Sequence, residues 1–249
     1  MHNLAAHNEL YNSPHTAMFF SGNNHIIELN LIRDVCLDTD DAGAIYNGRS
    51  WCTAYGTVIR NNVLLDIGRD GHTPCGVYLD DGLSGISVLN NLLVNVPDAA
   101  IAVSGRDLQI KGNVIVNAGR KPVGYDERTR ESAMGTSSWY FHAVENGPQW
   151  QNLFDSPYQT EIWKAAFPRL AAVTHDFGDM DNPSFAANPA LSEVTDNVFV
   201  GRAEPKYSES IPRFNTLEPN ESYGLSRVKD YWTLPGYEKI LIEQVGRQG

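Results

Sequence analysis

Cysteine is scarce in this chain, with three in 249 residues. Cys36, Cys52 and Cys75 are odd in number and lack metal-ligand spacing, so neither a zinc site nor a disulfide framework is expected. They read as free thiols, with room for one disulfide at most. Positive charge is also short: 19 Lys and Arg stand against 30 Asp and Glu, a formal net charge of −11. Nucleic-acid binding rests on neutralising phosphates with Lys and Arg, and anionic membranes attract the same residues, so neither partner is expected. A neutral substrate, or one met by local Arg and His, fits better. No stretch nears the ~20 apolar residues of a membrane helix, and the N-terminus lacks the basic and apolar regions of a signal peptide. Several common chemistries leave no mark either. There is no G-x-S-x-G, no P-loop, no H-E-x-x-H and no dinucleotide fingerprint.

What the chain does have is a repeat. An apolar residue, Asn and two further apolar residues recur at fixed spacing: Ile27, Asn30, Ile32, Val35, then Ile59, Asn62, Leu64, Ile67. Val88, Asn91, Leu93, Val96 and Ile110, Asn113, Ile115, Ala118 follow, with weaker copies at Ala5, Asn8, Leu10 and at Val194, Asn197, Phe199. Successive Asn residues are 22, 32, 29, 22 and 84 positions apart. A base period near 22 with short apolar strands suits one coil of a solenoid, whose coils stack about 4.8 Å apart because none can bury its core face alone. Asn at a fixed place tolerates a left-handed turn and can hydrogen-bond along the stack. A β-sandwich with frequent Asn turns is the competing reading, but sandwiches do not repeat one residue at one register.

The expected fold is therefore all-β: a right-handed parallel β-helix, a solenoid, with a short helical insertion. One domain spans 1–249, with coils over about 1–126 and 190–202, an insertion over about 127–189, and a wrapping tail over about 203–249. The insertion should hold an amphipathic helix between Thr160 and Val173, capped by Thr160 and broken at Pro168. Its aromatic residues, Trp139, Tyr140, Phe141, Trp150 and Trp163, should mainly anchor it to the coils. The chain enters its first coil with no covering helix, so another chain or further coils are expected over that open end.

The chemistry-bearing residues are acidic. Asp38, Asp40 and Asp41 precede the Gly43–Tyr46 strand, and Asp80 and Asp81 follow the Gly76–Leu79 strand. Counting three positions beyond Ile45, Val77, Ile101 and Val123 gives one column, Gly48, Asp80, Ser104 and Asp126. Asp80 and Asp126 would stand two coils apart, ~9.6 Å. Adjacent carboxylates raise one another's pKa, giving an acid beside a base. Asp38, Asp66 and Asp98 read as strand-ending turn formers. Asp41, Asp80 and Asp81 flank the two coils that exceed the base period, and extra length at one corner raises walls around a groove. Tyr46, Arg49, Trp51 and His72 in the same stretches, with His15 and Arg106 at matching loops, complete the expected substrate-binding set beside Asp126. A Ca²⁺ site is a further use of such a cluster; no other cofactor is expected.

The segments "DDAGAIYNGRSW", "GVYLDDGLSGISVLNNLL" and "AAIAVSGRDLQIKGNVIVNA" resemble right-handed β-helix enzymes of polysaccharide degradation. The nearest resemblance is to glycoside hydrolase family 141, whose members act as fucosidases and xylanases. It extends over nearly the whole chain, which looks like the C-terminal part of such an enzyme. The resemblance implies catalytic carboxylates at Asp41 in "DAGAIY" and at Asp80 or Asp81 in "YLDD", and a secreted or periplasmic location. The family's D-x-R-G stands here as Asp126, Glu127, Arg128, Thr129, without the glycine. Family members usually carry more N-terminal coils than are seen here.

The leading expectation is a glycoside hydrolase acting on a plant or microbial polysaccharide through paired Asp carboxylates. A β-helix polysaccharide lyase would instead need a Lys, Arg or His base and a cation beside a uronate; Arg49 and His72 leave this open, although no Lys lies near the acidic cluster in sequence. A non-catalytic carbohydrate-binding fragment is the third reading.

Overall fold

The computed structural model describes residues 2–248. Three parallel sheets are stacked from coils that each give one short strand to each sheet. The first sheet runs through Leu4–Ala6, Ile26–Glu28, Val58–Arg60, Ser87–Leu89, Gln109–Lys111 and Glu193–Thr195. The second runs from Glu9–Tyr11 through Leu31–Arg33, Val63–Leu65, Leu92–Val94, Val114–Val116 and Val198–Val200 to Glu221–Tyr223. The third contains Met18–Phe19, Gly43–Gly48, Cys75–Asp80, Ala99–Val103, Lys121–Tyr125 and Lys206–Tyr207.

Strand pairing matches the repeat. Ile27, Ile59, Val88, Ile110 and Val194 are successive partners in the first sheet. Ile32, Leu64, Leu93, Ile115 and Phe199 succeed one another in the second, and Ile45, Val77, Ile101 and Val123 in the third. All are buried in one continuous core.

Between the first and second strands of each coil, the Asn side chains form a ladder. Each Asn Nδ2 donates to the next Asn Oδ1 through Asn8, Asn30, Asn62, Asn91, Asn113, Asn197 and Asn220, at 2.8–3.0 Å. The same oxygens accept backbone N–H groups, as Asn91 Oδ1 does from Asn62 N at 2.9 Å. The left-handed conformation falls one residue earlier than the sequence suggested. Leu29, Asn61, Asn90, Gly112 and Asp196 have φ of 51–67°, whereas the ladder Asn residues do not enter that region. The turn residue frees the backbone to bend, and the following amide satisfies the polar groups left at the corner.

The expected all-β class is corrected. Among the described residues five α-helices and four 3₁₀ turns accompany the strands, and three parallel sheets with this helical share make the chain α/β, solenoid-like in its sheets. The Asn repeat reports only on the coils and is silent on segments that lie between its copies. After Tyr125 the chain leaves the sheets and forms helices Arg128–Ala133, Pro148–Asp155, Glu161–Ala166 and Pro168–Ala171. Thr160 precedes the third of these without a capping side-chain bond, and the break falls at Phe167–Pro168. The excursion has its own core, in which Trp150, Leu153, Leu170 and Phe185 pack on Trp51, Cys52 and Tyr55 of the lengthened coil.

The tail does more than wrap. Lys206–Tyr207 and Glu221–Tyr223 add strands to the third and second sheets. The chain then returns along the outside of the second sheet, where Leu234 and Ile240 cover Val63, Leu92, Val114, Val116, Val198 and Val200. It reaches Leu29, whose carbonyl accepts from Gly246 N at 2.8 Å. Strands buried on both faces explain the unbroken apolar runs VLL, LLV, VIV and VFV. Cys36, Cys52 and Cys75 are free and buried, and burial pushes the thiols of Cys36 and Cys75 up to about 12.

Candidate functional site

The outer face of the third sheet carries the acidic cluster. Strand alternation turns Ile45, Val77, Ile101 and Val123 inward, so their following neighbours Tyr46, Tyr78, Ala102 and Gly124 form one outward column. The column changes from large to small: Tyr46 and Tyr78 pack with ring centroids 5.3 Å apart, whereas Ala102 and Gly124 leave a recess. A Cβ at Gly124 would lie 2.7 Å from Lys121 Cε. The recess is the floor of a cleft of about 270 Å³ bounded by Tyr78, Asp126, Arg128, Lys121, Lys206 and Tyr207.

At the strand ends the chain lays out Gly48, Asp80, Ser104 and Asp126 in successive coils, in register with the counted column. Arg128, which opens the first helix of the excursion, reaches back over it. Its Nη1 donates to Asp80 Oδ1 at 2.7 Å and to Asp81 Oδ1 at 3.1 Å. Its Nε and Nη2 hold Asp126 from both sides at 2.9 and 2.6 Å. Arg49 Nε pairs with Asp81 Oδ2 at 3.1 Å, and the Tyr46 hydroxyl donates to Asp80 Oδ2 at 3.2 Å. Arg49 and Asp81 both have left-handed backbone, at φ 68° and 46°, a conformation that costs non-glycine residues about 1–3 kcal/mol and collects at functional sites.

Asp80 is the unusual acid. Burial, then the charge of Asp81, raises its pKa to about 6, against the opposing pull of Arg128 and of hydrogen bonds from Tyr78 and the Asp81 amide. Burial and Asp80 push the Tyr46 phenol up to about 12. The Tyr78 hydroxyl lies 3.5 Å from Asp41 Oδ1 and opposes the rise in the pKa of Asp80. Tyr140 overlooks the same cluster: its buried hydroxyl has no partner, and burial with the charges of Asp81 and Asp80 raises its pKa.

The structure thus gathers Asp41, Tyr46, Arg49, Asp80, Asp81 and Asp126 on one face. It does not bring the other expected residues there. Trp51 is 2% exposed and packs edge-on against Trp150, with ring centroids 4.7 Å apart, inside the excursion's core rather than on a rim. Arg106 is 1% exposed, and its guanidinium is spent on Asp107 and the carbonyls of Pro183, Ser184 and Phe185. His72 pairs with Asp40 at the opposite end of the sheet, where the strands begin. His15 stacks on Phe19 near the first coil.

Four contributors went unselected in the sequence. Tyr78 was findable by alternation from Val77, and Arg128 by its place two residues after Asp126. Lys121 and Lys206 were not findable by proximity, since 85 positions separate them and only the pairing of Gly124 with Lys206 brings them together. Exposed Trp139 lies over the Arg128 guanidinium, 5.3 Å from ring centroid to Cζ. Among the described residues no group of three or more His, Cys, Asp or Glu is arranged to hold a metal ion; the charge between Asp80, Asp81 and Asp126 is supplied by Arg128. Among the same residues no helix is long and apolar enough to cross a membrane. No family model, no curated protein and no solved structure matches the chain.

Proposed function

We propose that the chain is a glycoside hydrolase whose reaction runs on the outer face of the third sheet. The observation that supports it is Asp80: a buried carboxyl raised to about 6, on the same sheet face as the exposed carboxylate of Asp41, which meets the Tyr78 hydroxyl. A raised carboxyl can keep its proton near neutral pH and give it to a leaving glycosidic oxygen as the C–O bond breaks. Asp41 then takes a proton from the water that attacks the anomeric carbon. At closer range it would attack that carbon itself. Carboxylate separations of about 6.5–9.5 Å and 5–5.5 Å distinguish the two routes. Asp81, held between Arg49 and Arg128, sets the field that favours protonated Asp80. The segments resembling family 141 carry these same three Asp residues, and the resemblance is part of the proposal.

The cations of the cleft favour a second reading. Lys121, Lys206 and Arg128 border it, which supplies the basic groups a polysaccharide lyase needs and which the sequence did not place near the acids. Incubation with plant and microbial polysaccharides separates the readings. Release of reducing ends, lost in Asp80→Asn and Asp41→Asn while both variants remain folded by circular dichroism, is expected. Products absorbing in the ultraviolet through a new C=C bond would instead assign the lyase, and retention of full hydrolysis by both variants would overturn the proposed acid and base.

A further inference from the structure

The cleft beside the acidic cluster carries charge of the sign that the chain as a whole lacks. Two of its six lysines meet there, in a protein of formal net charge −11. Lys121 lays its stem over Gly124, since a Cβ at that glycine would come within 3.1 Å of Nζ. Lys206 is the next residue up the column, the direct strand partner of Gly124. Lys111 and Lys164 have carboxylate partners, but among the described residues neither Lys121 nor Lys206 has one within ion-pair distance. Nearby Asp126 cannot serve, because Arg128 occupies both of its oxygens. That leaves two ammonium groups against one carboxylate, Asp98, in the cleft lining. Its volume, about 270 Å³, is near the lower end of small-molecule sites, roughly 300–1,000 Å³. Tyr78 and Tyr207 stand at its sides, and rings of this kind pack against the apolar faces of sugars.

We infer that this cleft binds the acidic group of a charged sugar residue, a carboxylate or a sulfate, through Lys121 and Lys206. The inference rests on the hydrolase reading above for the neighbouring chemistry and adds to it the class of substrate, an acidic glycan. Both lysines line one volume whose floor, Ala102 and Gly124, offers them no polar side chain. An anion there replaces water around both and neutralises their mutual repulsion. Such pairing in a partly open cleft weakens with salt.

Calorimetric titration of the full chain with trigalacturonate, a sulfated disaccharide and neutral xylotriose tests this. At low salt one of the two acidic ligands should bind at least tenfold tighter than xylotriose, and which one wins identifies the acidic group. The Lys121→Gln/Lys206→Gln double variant should lose that preference, as should wild type in 0.5 M NaCl. Equal affinity for xylotriose, no binding of either acidic ligand, or an unchanged preference in the double variant would overturn the subsite. Product release is scored separately on the same ligands in longer form. Lysine-dependent binding without cleavage would reject the hydrolase reading and leave the subsite standing, while cleavage of neutral glycans with no lysine dependence would do the reverse.

Discussion

At the scale of single residues, Asp80 has a consequence for stability as well as for chemistry. Its carboxyl is raised from an ordinary 3.8 to about 6 in the folded chain, chiefly by burial and then by Asp81. Between those values the folded state holds a proton that the unfolded chain has released. Stability must fall with rising pH wherever the native state binds more protons. The contribution is therefore fully present below about pH 4 and is lost as pH rises through about 6. Denaturant titrations from pH 4 to 8 should show this fall in wild type and its disappearance in Asp80→Asn; a variant that keeps the same slope would assign the change to another group. The column holding Asp80 and Asp126 was legible by counting, because strand spacing and register are regular. Its chemistry was not. Arg128 reaches the column by a fold-back of the chain after Tyr125, and no periodicity encodes where a long side chain ends. Trp51 and Arg106, expected in the substrate-binding set, are buried instead for a related reason. Both stand in loops, and the excursion that buries them lies far away in sequence.

At the scale of elements, the Asn ladder decides whether coils stack in register. Asn91 donates to Ile59 O and Asn113 Oδ1, each at 3.0 Å, and accepts from the backbone and side chain of Asn62. Removing its amide strands several buried polar groups, each costing about 1–3 kcal/mol. Asn91→Ala should thus cost at least ~3 kcal/mol, comparable with the ~2–5 kcal/mol expected for Leu93→Ala in the adjoining core stack. Asn8→Ala, at the exposed end of the ladder, should cost under ~1 kcal/mol. Urea unfolding of the two Asn variants checks the contrast, and equal losses would mean that the ladder is not what aligns the coils. This element was the clearest signal in the sequence, since every copy sets the same residue at the same register. The helices gave a weaker one. The Glu161–Ala166 turn was visible from Thr160 and Pro168, but Arg128–Ala133 and Pro148–Asp155 begin without a side-chain cap to mark them and are defined by packing.

At the scale of the whole molecule, the helical share that makes the chain α/β rather than all-β is concentrated in the excursion and tail. The tail lies on the outer face of the second sheet, and the excursion packs on the Trp51–Tyr55 loop of the lengthened coil. The tail covers the second sheet, so truncation after Tyr223 should expose the outer valines along with the binding places of Leu234 and Ile240. A sharp rise in dye binding to apolar surface and loss of soluble protein are expected; a soluble, fully cooperative truncated chain would show that the tail is dispensable. The excursion brings Arg128 and Tyr140 over the third sheet, which is why the proposed site lies on that face and not on the other two. The most direct measurement is the initial rate of reducing-end release between pH 4 and 8 on the best glycan substrate, for wild type and Asp80→Asn. The expected result is a wild-type rate that falls above about pH 6 as the acid loses its proton, and a variant at least a hundredfold slower whose residual rate lacks that limb. A variant that keeps the wild-type rate and the same alkaline limb would contradict Asp80 as the general acid.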